Sequence, residues 1–91
     1  IVALEVKNDP TLPPWMDGWK IGYSQMNDPN PDSLIDSPCM CVISGVATPL
    51  VRVLRRGRQY GRYDLVSLGN SKPLEDREVI WCAKVLFIRP V

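Results

Sequence analysis

The sequence contains no histidine. Without imidazole, Ser-His and Cys-His nucleophile pairs are excluded, and so is the residue that most often binds metal or switches charge near neutral pH. No apolar run approaches the ~20 residues a helix needs to span a bilayer. The opening IVALEVK lacks the basic flank and small-residue cleavage site of a signal peptide. A cytoplasmic protein with no membrane contact is the expectation. No stretch keeps the 3.6-residue period of an amphipathic helix, and nine prolines and six glycines cut the chain into short segments. Cysteine is sparse and odd in number. Cys39, Cys41 and Cys82 do not suit a closed disulfide framework, and the CxC spacing is not the CxxC of zinc ribbons or redox sites. No cofactor and no metal is expected. In PCMCVIS, Cys39 and Cys41 share one face of a strand and act as small core side chains. Net charge is nearly absent too: a formal +1 leaves little long-range field and names no partner.

What is present fits one small domain, residues 1–91, since a chain of 91 residues buries only about 60% of its unfolded surface and supports one core. The chain begins with Ile1 inside an apolar stretch rather than with methionine, which predicts a piece of something longer. IVALEV, WKIGYSQ and PCMCVIS read as the first three strands. TPLVRVLRR and RYDLVSL follow, joined by the Gly-centred turn RRGRQ, so that PCMCVIS, TPLVRVLRR and RYDLVSL form a meander. EVIWCAKVLFIRPV is the last and most hydrophobic strand. The predicted class is all-β. NDPNPDSLIDSP, Asn27 to Pro38, reads as a solvated loop of turn-forming residues without the glycine and terminal glutamate of an EF-hand.

Arg52, Arg55, Arg56, Arg58 and Arg62 crowd one hairpin beside Tyr60 and Tyr63, a composition compatible with a nucleic-acid surface. No helix-turn-helix or RNA-binding signature accompanies them, and Asp64, Glu75, Asp76 and Glu78 can balance their charge. Solvated arginines at a hairpin tip are the plainer reading. Trp15, Trp19 and Trp81 are expected in the core or in cleft walls.

The order of segments carries more information than any one of them. A Pro-containing loop precedes DGW and a strand, then come VRVL in a hairpin, DLVSLGNSKP, and EVIWCAKVLFIRP. This series resembles the C-terminal domain of LexA-like peptidases and phage repressors, a β-clip-type fold of short twisted antiparallel strands. In that family GDSMxPTLxDGD carries the nucleophilic serine, and NDPTLPPWMDGW lies on it with Asp9, Pro13, Asp17 and Gly18 in register. VRVL is similar to the VKRL-type strand that carries the catalytic lysine. RYDLVSLGNSKP resembles RYxLxSxNPxY, and EVIWCAKVLFIRP resembles the closing VIGRVVWVxR strand.

The same register sets Pro10 at the nucleophile and Arg52 at the base. Proline has no hydroxyl, and a Ser-Lys mechanism needs a lysine able to lose its proton, whereas arginine stays charged. Sliding the register does not restore a dyad, because Ser24 falls after the loop and no lysine lies between Lys20 and Lys72. The resemblance therefore implies a non-catalytic oligomerisation and regulatory domain of a prophage-type transcriptional repressor. Such a protein would bind DNA only through an upstream helix-turn-helix domain, absent from these residues, and would pair as a homodimer or larger homo-oligomer. The alternatives are an active self-cleaving peptidase of unrecognised arrangement, or another small β binding module. The last strand bears on pairing, since both its faces are largely apolar. Ile80, Cys82, Lys84, Leu86 and Ile88 alternate with Trp81, Ala83, Val85, Phe87 and Arg89, so two surfaces must cover it. Read as an exposed apolar edge strand, and with the family's C-terminal strands taking part in dimer contacts, it implies an interface at Lys84, Val85, Leu86, Phe87, Ile88 and Arg89.

Overall fold

A computed structural model describes residues 1–91. The chain is all-β, as its segmentation predicts. Seven strands run antiparallel: β1 (Val2–Glu5), β2 (Lys20–Tyr23), β3 (Pro38–Ile43), β4 (Leu50–Arg56), β5 (Tyr63–Val66), β6 (Leu74–Arg77) and β7 (Val79–Arg89). They form one sheet in the order β1-β2-β7-β3-β4-β5-β6. The only helical pieces are 3-10 turns at Pro14–Met16 and Pro31–Leu34. No helix is long and apolar enough to cross a membrane.

The predicted meander β3-β4-β5 forms, with Met40 opposite Val51 and Leu54 opposite Leu65. The place of β7 corrects an expectation. It is an inner strand, inserted between β2 and β3, and its 11 residues serve two half-sheets. Val79 to Lys84 pair with β3, and Val85 to Arg89 pair with β2. This is the physical reason for its apolar length, because the first half must fill a covered central strand while the second crosses to the smaller half-sheet.

Alternation along β3 feeds two hydrophobic clusters. Cys39, Cys41 and Ile43 join Leu34, Leu54, Tyr63, Leu65 and Cys82 in one. Met40 joins Val6, Leu12, Met16, Ile21 and Val51 in the other. The three cysteines are free and fully buried, with Cys41 directly opposite Cys82. Burial pushes the Cys39 thiol up to about 12, and it raises Cys41 and Cys82 as well. They behave as core side chains.

Two other expectations need correction. Residues Asn27 to Pro38 are not merely a solvated excursion. Asn27 Oδ1 accepts a bond from the Cys82 amide at 3.0 Å, the Asp28 amide donates to Cys82 O at 2.8 Å, and Leu34 is buried in the first cluster. The segment satisfies the backbone of β7 where β2 does not reach it. Two of the hairpin arginines pair with other acids than the four predicted: Arg55 with Asp36 at 2.8 Å and Arg56 with Asp32 at 3.3 Å. Asp32 also accepts a 2.7 Å bond from the Tyr63 hydroxyl. Of the predicted acids, Asp76 is near the hairpin but uses its carboxylate on the Gln59 amide, while its carbonyl accepts from Arg62.

Candidate functional site

The loop from Asn8 to Gly18 is held by its own turn chemistry. Asp9 Oδ1 accepts bonds from the Thr11 amide at 2.9 Å and the Thr11 hydroxyl at 2.6 Å, the local pairing that aspartate readily makes two residues on. Pro13 and Pro14 open the 3-10 turn, where the Met16 amide donates to Pro13 O. Leu12 and Met16 anchor the loop in the second cluster. Gly18 sits at φ 84°, a left-handed conformation that favours glycine, and its amide donates to Val6 O.

Arg52 projects from β4 and is 4% exposed. Its Nη1 donates to Thr11 Oγ1 at 3.1 Å and to Val51 O at 2.8 Å, while its Nε finds no partner. Burial lowers its pKa below the usual guanidinium value, and the charge of Asp9 pulls it back. The second position of interest, Pro10, is therefore one residue from the group that Arg52 grips. The turn after β5 completes the assembly. Ser67 Oγ donates to Thr11 O at 2.6 Å, the Gly69 amide donates to the same carbonyl at 3.1 Å, and Ser71 Oγ donates to Pro10 O at 3.4 Å. A cleft of about 800 Å³ opens on the loop, lined by Asp9, Pro10, Pro13, Trp15, Asp17 and Leu68 among others.

The hydroxyls at the loop are each hydrogen-bonded. The Thr11 hydroxyl donates a hydrogen bond to Asp9 and accepts one from Arg52, so both fix its orientation. Ser67 and Ser71 donate to backbone carbonyls. Ser24 lies after β2, where its Oγ accepts the Met26 amide at 3.2 Å. No lysine takes part in these bonds. Sequence reasoning found Pro10 and Arg52 but missed Thr11, Ser67 and Ser71, although Asp9-Pro10-Thr11 carries a readable turn signal. No group of three or more His, Cys, Asp or Glu side chains is arranged to hold a metal ion.

The predicted interface residues divide by accessibility. Lys84, Leu86, Ile88 and Arg89 are exposed, with Leu86 at 47% and Ile88 at 38%, whereas Val85 and Phe87 are half-buried. The Phe87 ring covers Gly22 of the neighbouring strand and carries the Arg89 guanidinium at 4.8 Å. The ladder with β3 ends at Lys84, so Val85 to Arg89 pair along one side only, with β2. Trp15 stands 67% exposed at the cleft, while Trp19 and Trp81 pack half-buried against the second cluster. Comparison of the chain with protein-family models, with curated proteins and with solved structures finds no match.

Proposed function

We propose that residues 1–91 form a non-catalytic, self-associating regulatory domain of a phage-type transcriptional repressor, similar in fold to LexA-like peptidases and lacking their dyad. The observation that carries this reading is the buried Arg52, hydrogen-bonded to Thr11 beside Pro10. A strand residue grips the loop where the resemblance puts a base next to a nucleophile. The grip is made by a group that keeps its proton, and the adjacent position has no hydroxyl. The pair holds the loop to the sheet without chemistry. In this reading the domain acts in the cytoplasm, reaches DNA only through a separate helix-turn-helix unit, and dimerises through the exposed end of β7. Support for the last point is the one-sided pairing of Val85 to Arg89 and the exposure of Leu86 and Ile88.

The test is incubation of the parent chain at alkaline pH, a condition that promotes Ser-Lys self-cleavage by deprotonating lysine, followed by intact-mass spectrometry. The chain should keep its full mass. Specific cleavage that disappears on changing Ser24, Thr11 or a lysine would overturn the reading.

A further inference from the structure

The sheet ends in two true edges, β1 and β6, and they are treated differently. β6 is guarded. Pro73 precedes it, its four residues LEDR carry three charges, Asp76 takes a left-handed φ of 57°, and its ladder with β5 shifts register. Prolines, charges and bulges are the devices that keep an edge from adding another strand. β1 has no proline and no bulge, and a single charge, Glu5, at its end: Val2–Glu5 reads VALE, pairs with β2 in unbroken register, and leaves Ala3, Leu4 and Glu5 exposed.

We infer that β1 is a self-pairing edge, joining a second copy of this chain antiparallel about a two-fold axis at Leu4. The hydrogen-bond alternation of an antiparallel ladder supplies the argument. The Val6 amide donates to Trp19 O at 2.8 Å. Carried up the register, this makes Leu4 with Ile21 and Val2 with Tyr23 the hydrogen-bonded pairs, so the amides and carbonyls of Ala3 and Glu5 point outward. A two-fold at Leu4 sets each Ala3 against the copy's Glu5, which exchanges about four backbone hydrogen bonds, two in each pair. It also sets Leu4 against its own copy in the closer, non-hydrogen-bonded kind of pair. A two-fold at Glu5 would instead oppose two carboxylates, which is unfavourable. Sequence and register thus favour an axis at Leu4 over one at Glu5.

The apolar surface agrees with this choice. Leu4, Ile21 and Ile88 stand in one row across β1, β2 and β7, with Ile21 fully buried between Leu4 at 43% and Ile88 at 38% exposure. Pairing at β1 doubles that row across the axis. This inference does not need the repressor reading, but it extends it: a protomer with a self-pairing surface on β1 and another at the end of β7 builds assemblies larger than a dimer.

Cross-linking reads the geometry directly. Leu4→Cys places two thiols face to face at the axis, within the range a disulfide spans, whereas Ala3→Cys lies opposite Glu5 and has no thiol partner. Oxidised glutathione would accept the two electrons and leave as two thiols while the protein disulfide forms. The native cysteines are buried and serve as a silent background. The expected result is a covalent dimer from Leu4→Cys and none from Ala3→Cys or wild type. The second arm is sedimentation of Ala3→Pro, whose ring removes an outward amide that β2 does not use. That variant should keep its circular dichroism and lose one step of assembly, independently of Leu86→Glu at the β7 surface. Equal cross-linking of both cysteine variants, or unchanged assembly of folded Ala3→Pro, overturns the proposal. Loss of assembly in Leu86→Glu alone counts against the β1 edge and leaves the β7 surface standing.

Discussion

Gly22 offers a quantitative check on how the small half-sheet is packed. A Cβ added there would lie 2.1, 2.3 and 2.6 Å from Cε2, Cζ and Cδ2 of Phe87. Ordinary contact begins near 3.4 Å, so the ring must retreat by about 1.3 Å, the difference between those distances. Glycine inside a strand is otherwise a weakness, and alanine at an unhindered site would gain about 0.5–1 kcal/mol. Overpacking costs about 1–3 kcal/mol. Gly22→Ala should therefore destabilise by about 1–2 kcal/mol, lowering Tm by about 4–16 °C for a domain of this size. Phe87→Ala removes the obstacle. In that background Gly22→Ala should become neutral or stabilising, which gives a coupling of about 1–3 kcal/mol in a double-mutant cycle followed by urea unfolding. Additivity of the two changes would show that the ring does not lie over Gly22. So would a stabilised Gly22→Ala in the wild-type background.

Arg52 and Tyr63 provide the other tests. Arg52→Met keeps most of the buried volume and removes both the guanidinium's two hydrogen bonds and its unpartnered Nε, so stability should stay within about 1 kcal/mol of wild type. Arg52→Ala leaves a cavity and should cost about 2–4 kcal/mol. Chemical denaturation that finds the two equally harmful would show that the hydrogen bonds to Thr11 and Val51, not the filled volume, are what the site needs. Tyr63 is pushed up to about 12 by burial and by the bond its hydroxyl donates to Asp32. Its unfolded value is about 10, so its contribution is complete below pH ~10 and is lost as pH rises through 12. Tyrosinate absorbance and circular dichroism should therefore change together in that window. Asp32→Ala should bring the transition to lower pH, and an unmoved transition would contradict the assignment.

The local pattern was legible. Pro and Gly spacing with period-two apolar alternation marks β1 to β5 and β7, because both are set by the backbone conformations each residue allows and by which face it turns to water. Cys39 and Cys41 on one face follow from the same alternation. β6 escaped because LEDR at an edge has no apolar face to announce it. The docked segment Asn27 to Leu34 escaped because its polar residues bond to Cys82, 55 and 54 positions away for Asn27 and Asp28. The site divides in the same way. Pro10 and Arg52 were linked as a pair by resemblance alone, and their meaning depends on Thr11, which lies 41 residues from Arg52 and meets it only in the folded chain. Strand order is the largest item of this kind. That β7 is apolar on both faces is a property of its residues, but its position between β2 and β3 was decided by tertiary structure. Antiparallel pairing is chosen among many partners by the sum of contacts each arrangement buries. No local stretch contains that sum, and a strand written last can therefore be placed in the middle.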